Sequence, residues 1–146
     1  MSAGVTSGAS PATSVGRRLW LWAPVAGYMA LIFVLSGMAA PPTPAQASDK
    51  TLHLVGYGGL GLVALRATAG ATLSGVTGGS AAAAWTIATL YGLTDEYHQS
   101  FVPARSADPA DALADAVGAA STIGVAWAFG IIARSRRISG AAPRDR

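Results

Sequence analysis

The sequence has little charge, no cysteine and no strand-like alternation of apolar and polar residues. Only 12% of its 146 residues are charged and 51% are hydrophobic, whereas soluble domains carry about 25% charged residues. Without cysteine no disulfide can form, and cysteine usage gives no indication of the redox compartment. Because neither alternation nor an internal repeat occurs, the chain favours an all-α fold.

The basic residues do not form the patch that is typical of nucleic-acid binding. Nine of the ten cations are arginines, and most of them flank apolar runs. This distribution is typical of membrane topology, so the net charge of +3 predicts no nucleic-acid partner.

One long apolar run carries no charge at all. It covers Leu19 to Met38, which is 20 positions, and a helix of roughly 20 residues is needed to cross the hydrocarbon core of a bilayer. The run therefore indicates a membrane protein whose main partner is the lipid bilayer. The alternative is a soluble helical protein with a single membrane anchor.

Three further apolar stretches follow, separated by segments rich in proline or small residues. We predict an all-α integral membrane protein, a four-helix transmembrane bundle with a re-entrant or interfacial segment, around 96–110, between helices three and four. The predicted spans are residues 19–38, 52–65, 81–93 and 111–133. The predicted organisation is a disordered tail at 1–16, a four-span membrane domain at 17–138 and a disordered basic tail at 139–146. Four glycines of span two are expected to allow close approach by neighbouring helices: Gly56, Gly58, Gly59 and Gly61.

The arginines predict an orientation in the membrane. They lie before span one, after span two and after span four, so eight of the ten cations share one side if the chain crosses four times. By the positive-inside rule that side is the cytoplasm, which places both termini there. An alternative is that the first run is a secretory signal ending near Ala45-Gln46-Ala47, so that residues 1–47 are processed.

The acidic residues are concentrated at the opposite side of this predicted topology. Six of the seven acids, all but Asp145, lie at or near the outer face, where only Lys50 and Arg105 are basic. Residues four apart face one side of a helix. Three such polar pairs occur here: Asp49 with His53, Asp95 with Gln99 and Asp111 with Asp115. Ionisable groups gathered at one level of a membrane are functional candidates.

Because the acids outnumber the cations, simple ion pairing does not account for all of them. One group could act as a general base, and carboxylates beside a histidine could bind a divalent metal ion, although no H-E-x-x-H motif identifies ligands. The candidate catalytic residues are His53, Asp95 and Glu96. The candidate ligand-binding residues are Asp49, Lys50, Tyr57, His98, Gln99, Arg105, Asp111 and Asp115. The alternatives are a purely structural ion network and, for Tyr57 and Tyr97, anchors at the membrane interface.

Two motifs in this cluster resemble the VanZ-like family of small bacterial membrane proteins, which is associated with resistance to the glycopeptide teicoplanin. The motifs are SDKTLHLVGYGGLG, from residue 48, and YGLTDEYHQSFVPARSADPADALADAVGA, from residue 91. The similarity covers roughly residues 31–130. Two positions depart from the family pattern, which usually has Gly in place of Ala104 and Asn in place of Asp115.

The resemblance implies a multi-pass protein of the bacterial cytoplasmic membrane and cell envelope, but it names no reaction. We expect an outer-leaflet polar pocket, lined by His53, Glu96 and Arg105, that acts on or binds an anionic lipid-linked or cell-wall precursor. Arg105 and Lys50 would hold phosphate, and Asp95, Glu96 and His53 would supply acid–base groups or metal ligands. The competing hypothesis is a non-enzymatic ligand-binding or permeation module. No pattern in the sequence predicts an oligomeric state.

Overall fold

The described part of the chain folds into four α-helices. The computed structural model describes residues 11–42 and 47–140, and these ranges contain no strand, which confirms the predicted all-α class. The helices are α1 (Pro11–Ser36), α2 (Asp49–Thr68), α3 (Gly78–Gln99) and α4 (Pro109–Gly140). Helix α1 begins at Pro11, so residues 11–16 are helical where the sequence predicted a tail, and α4 likewise continues through residues 139 and 140. Residues 1–10 and 141–146 lie outside the described residues.

Two of the helices are long and apolar enough to cross a membrane. The qualifying segments are Ser14–Ser36 in α1 and Pro109–Ala133 in α4. Both expose large apolar side chains, such as Phe33 on α1 and Phe129 on α4, and such a surface suits contact with lipid. Helices α2 and α3 contain 20 and 22 residues, so each reaches about 30 Å, but polar residues lower their hydropathy.

Side-chain caps fix where α2 and α3 begin. The Ser48 hydroxyl accepts a hydrogen bond from the Thr51 amide at the start of α2. At the start of α3, Thr77 and Ser80 form a reciprocal capping box. These caps satisfy amide groups that the first helical turn leaves without a partner.

Neighbouring helices run in alternating directions. The Arg66 guanidinium near the end of α2 lies 4.0 Å from the ring centre of Trp20, near the start of α1. Thr68, at the end of α2, donates a hydrogen bond of 2.9 Å to the Ser80 carbonyl at the start of α3. Helix α4 runs parallel to α2, because His53 contacts Asp115 near the start of both helices and the Thr122 hydroxyl donates to the Gly58 carbonyl further along both. The arginine-rich ends of α1 and α2 therefore lie together, and the polar clusters lie at the other end.

Small residues bring α2 against α4. A side chain at Gly61 would meet Ala119 at 3.0 Å, one at Gly58 would meet Thr122 at 3.1 Å, and one at Gly118 would overlap the Leu54 carbonyl. Gly59 faces Tyr28 of α1 instead. The prediction of close helix approach is therefore confirmed at Gly58, Gly59 and Gly61. It is wrong at Gly56, whose missing side chain would meet nothing within 4 Å.

Replacing Gly118 by alanine should separate α2 from α4. The added methyl group would overlap a backbone carbonyl, which cannot rotate away, so we expect Gly118→Ala to lower the free energy of unfolding by about 1–3 kcal/mol. The matched control is Gly124→Ala in the same helix, where a side chain would meet nothing within 4 Å. Thermal unfolding in detergent checks both variants, and a Gly118→Ala midpoint equal to that of the control would contradict the packing described here.

Candidate functional site

Three helix ends and one connection bring the predicted polar residues together. The start of α2 supplies Asp49, Lys50 and His53, the end of α3 supplies Asp95, Glu96 and Gln99, and the start of α4 supplies Asp111 and Asp115. Arg105 lies in the connection of residues 100–108, where turns fold back over the end of α3. The alternating helix directions thus place groups that are distant in sequence at one end of the molecule.

His53 and two carboxylates form the buried layer of this site. The His53 Nδ1 atom lies 2.9 Å from Asp115 Oδ1 and 3.7 Å from Glu96 Oε1. The side chains of His53, Glu96 and Asp115 are 7%, 8% and 0% exposed. Two of their oxygen atoms, Glu96 Oε1 and Asp115 Oδ2, have no hydrogen-bond partner among the described residues. We call His53, Glu96 and Asp115 the inner triad.

The surrounding backbone holds the inner triad in place. The Asp108 amide donates a hydrogen bond of 2.8 Å to Glu96 Oε2, which ties the connection to the end of α3. Gly92 of α3 leaves room for Asp115, since a side chain at position 92 would lie 2.7 Å from Asp115 Oδ2. The ring of Tyr57 stacks parallel to that of His53, at 6.2 Å between centroids. Orientation of the triad therefore depends on three helices and on the connection.

The two cations at this end are already paired with acids. Lys50 Nζ lies 2.7 Å from Asp108 Oδ2 and 3.2 Å from Asp111 Oδ1. Because Lys50 donates to it, the pKa of Asp108, in the connection, lies below its usual range. Arg105 donates to Gln99 Oε1 at 2.8 Å and to Asp49 Oδ1 at 3.4 Å. Gln99 in turn donates to Asp95 Oδ2 at 3.1 Å.

Two neighbouring cavities open beside these residues. The first, of about 200 Å³, has mainly apolar walls that include Ile32, Leu35 and Leu52, and it reaches His53 and Asp95. The second, of about 380 Å³, has mainly polar walls that include Lys50, Ser106 and Asp108. Three residues line both cavities: Asp49, Gln99 and Arg105. An apolar and a polar compartment therefore meet at a shared polar boundary.

The structure does not bring every predicted residue into these cavities. His98 stacks on Phe33 of α1, at 4.3 Å between centroids, and lines neither cavity. His53 and Arg105 share the apolar cavity, whereas Glu96 and Asp115, which both contact His53, line neither cavity. The interfacial interpretation of Tyr57 is wrong, since this residue is 2% exposed and lines the apolar cavity. Tyr97 is 70% exposed.

Asp108 was missed as a member of the site. It pairs with Lys50, and its Oδ1 atom accepts a hydrogen bond from the Ala110 amide at the start of α4. Aspartate followed by proline is a typical sequence for the beginning of a helix. The pair Asp108-Pro109 could therefore have located the start of α4 and the position of this carboxylate.

The geometry can be compared with known families. A family model described as VanZ/LLP1 matches residues 13–132, which is most of the chain. The chain belongs to the VanZ/LLP1 family. This confirms the resemblance seen in the sequence and suggests a cell-envelope role related to glycopeptide resistance, while the family and the two apolar helices together indicate a membrane protein. No curated protein and no solved structure matches the chain.

The two departures from the VanZ-like pattern have structural meaning. Ala104 has a φ of 64°, in the left-handed region that favours glycine, which explains why glycine is usual at this position. Asp115 accepts a hydrogen bond from His53, as the side-chain oxygen of asparagine would also do. The aspartate adds a negative charge at a fully buried position.

Restoring glycine at position 104 should relieve the turn. A left-handed alanine costs roughly 1–2 kcal/mol, and the greater freedom of glycine in the unfolded chain offsets about 0.4–1 kcal/mol of that. We therefore expect Ala104→Gly to raise the free energy of unfolding by up to about 1.6 kcal/mol. Unfolding in detergent measures the change.

The matched control is Ala83→Gly on the exposed surface of α3. In a helix the same substitution costs about 1 kcal/mol, so the two variants should change stability in opposite directions. Equal destabilisation by both would mean that the turn at Ala104 carries no strain.

Proposed function

We propose that this VanZ/LLP1 protein crosses the cytoplasmic membrane four times and binds the head group of an anionic, lipid-linked cell-envelope precursor at the outer face. The observation that carries the proposal is the meeting of an apolar and a polar cavity at Asp49, Gln99 and Arg105. A molecule with a polar head and a hydrocarbon chain needs both kinds of surface side by side.

The alternating helix directions support the four-span topology. Helices α2 and α3 are about 30 Å long, which matches the hydrocarbon core, and their directions alternate with those of α1 and α4. Arg17 of α1 reaches the Gly70 carbonyl beyond the end of α2, so the arginine-rich ends coincide. By the positive-inside rule this end faces the cytoplasm, and the inner triad and both cavities belong to the outer half of the bundle.

Reporter fusions test this topology. Fusions after Arg66 and after Arg137 should be fluorescent with a reporter that matures in the cytoplasm, because the arginines hold these ends inside. A fusion after Ala40 should be active with a phosphatase that requires export. An exported reporter at Arg66 would contradict the four-span arrangement.

Arg105 is the group best placed to hold an anionic head. Its side chain is 14% exposed and lines both cavities, while its carboxylate partner Asp49 is 53% exposed and 3.4 Å away. A long, half-exposed ion pair contributes little to stability, so a phosphate can take the place of Asp49 at small cost. The planar guanidinium then donates two parallel hydrogen bonds to the phosphate oxygens.

A second candidate function is catalysis on the same ligand. Asp115 accepts a hydrogen bond from His53 Nδ1, which fixes the orientation of the ring, and His53 also lines the apolar cavity. A histidine oriented by a buried carboxylate is a typical general base. Turnover of a polyprenyl phosphate or pyrophosphate by the purified protein would favour catalysis over binding alone.

A purely structural network is the competing interpretation. It is favoured by Lys50, which bridges Asp108 of the connection and Asp111 of α4, and thereby fastens the connection to two helices. In that case Arg105→Lys would either keep full function, because only the charge matters, or lower stability and function in step.

The test compares lysine with arginine at position 105. Arg105→Lys should weaken binding of a polyprenyl phosphate in detergent at least about tenfold, because lysine keeps the charge but loses the paired hydrogen bonds. The unfolding midpoint should stay within a few degrees of the parent. Binding is measured by native mass spectrometry or calorimetry.

The control is Arg66→Lys, the same substitution at the opposite end of the bundle, where Arg66 packs on Trp20. Its affinity for the lipid phosphate should equal that of the parent. If Arg105→Lys lowers stability and affinity in step, the cluster is a structural network and the binding proposal fails.

A further inference from the structure

The inner triad offers three ligand atoms of the kinds that bind divalent metals. One imidazole nitrogen of His53 and one carboxylate oxygen each of Glu96 and Asp115 lie within 4.8 Å of one another. All three side chains are more than nine-tenths buried. They come from α2, α3 and α4, so three packed helices fix their relative positions.

Two buried oxygen atoms of the triad point to a cation. Glu96 Oε1 and Asp115 Oδ2 have no hydrogen-bond partner among the described residues. Among the described ion pairs, these two carboxylates interact with His53 and with no lysine or arginine. A buried carboxylate oxygen without a partner is costly, and two adjacent carboxylates repel each other. A divalent cation bound between them, in place of the proton on His53 Nδ1, removes both costs and releases that proton to solvent.

A second group of possible ligands shares His53 and is a poorer candidate. It consists of Asp49, His53 and Asp111. Asp49 is already paired with Arg105 and Asp111 with Lys50, so both carboxylates have a cation partner. Neither contributes a buried oxygen without a hydrogen-bond partner in the described chain. Within the two groups of possible ligands, the surplus of negative charge is thus located in the inner triad; outside them, Asp95 also has a buried oxygen without a hydrogen-bond partner in the described chain.

We propose that His53, Glu96 and Asp115 bind one divalent transition-metal ion, of the Zn²⁺ or Mn²⁺ class. Imidazole suits zinc, and carboxylate oxygens suit manganese. Three protein ligands leave at least one position for water or for an oxygen of another molecule. The hydrogen bond from the Asp108 amide to Glu96 Oε2 orients this ligand from outside, as groups around metal sites commonly do.

Metal binding does not require the lipid ligand of the proposed function. It does explain how an anionic head could approach so acidic a site. Six acids lie at this end of the protein against Lys50 and Arg105, and a bound divalent cation would offset two of these negative charges.

The experiment uses the full chain in detergent, freed of metal by chelation and without added lipid. Zn²⁺ and Mn²⁺ are titrated separately, and bound metal per protein is measured by calorimetry and elemental analysis. We expect one ion per chain for one of the two metals, with an unfolding midpoint that rises by several degrees, because a ligand that binds only the folded state stabilises it.

Three substitutions locate the ion. Glu96→Gln and Asp115→Asn keep the shape of each side chain and remove its charge, so each should weaken metal binding at least about tenfold. His98→Gln is the matched control, since this histidine packs on Phe33 and lies outside both groups, and the affinity of this variant for the metal should stay within about twofold of the parent. Circular dichroism verifies that each variant remains helical, and either triad variant alone suffices for the comparison.

Several outcomes would overturn the proposal. The first is failure of both metals to bind at one ion per chain, and the second is unchanged affinity in a folded triad variant. The third is an equal loss of affinity in a further variant, Asp111→Asn, which would move the ion to the group of Asp49, His53 and Asp111. Binding of polyprenyl phosphate to the metal-free protein is measured separately. If the protein binds the lipid but no metal, the proposed function is supported and the metal site is wrong. If it binds metal but not the lipid, the metal site is supported and the proposed function is wrong.

Discussion

The contact between α2 and α4 is the constraint on which the site depends. Gly118 allows its helix to approach until it meets the Leu54 carbonyl. Leu54 directly follows His53, and Asp115 lies one turn before Gly118. The distance of 2.9 Å between His53 Nδ1 and Asp115 Oδ1 is therefore set by the absence of a side chain at Gly118. Small residues in these helices serve the polar site as much as they serve the packing.

Local periodicity explains how much of this arrangement could be predicted from the sequence. Residues four apart must face one side of a helix, so Asp49 with His53 and Asp111 with Asp115 were placed correctly relative to each other. The short connections favour antiparallel neighbours, which bring alternate helix ends together. The glycines Gly58 and Gly61 were recognisable because close helix contacts select small residues.

Rotation of each helix about its own axis was not predictable. Glu96 and His98 are two residues apart and so project from different sides of α3. The sequence does not indicate which side of α3 faces α2 and α4. In the structure Glu96 contacts His53 in the inner triad, whereas His98 stacks on Phe33 of α1. The same uncertainty concerned Tyr57, whose burial depends on the position of α1 and α3 beside it.

The charges of the site divide into two layers with different physical roles. In the outer layer, Lys50 and Arg105 pair with acids that are largely solvent-accessible, such as Asp49 and Asp108. Exposed pairs of this kind exchange partners readily because each contributes little to stability. In the inner triad, carboxylates without a lysine or arginine partner are enclosed by three helices, where an uncompensated charge is costly. The outer layer is thus suited to selecting an exchangeable ligand, whereas the inner layer is suited to the permanently bound cation that we propose.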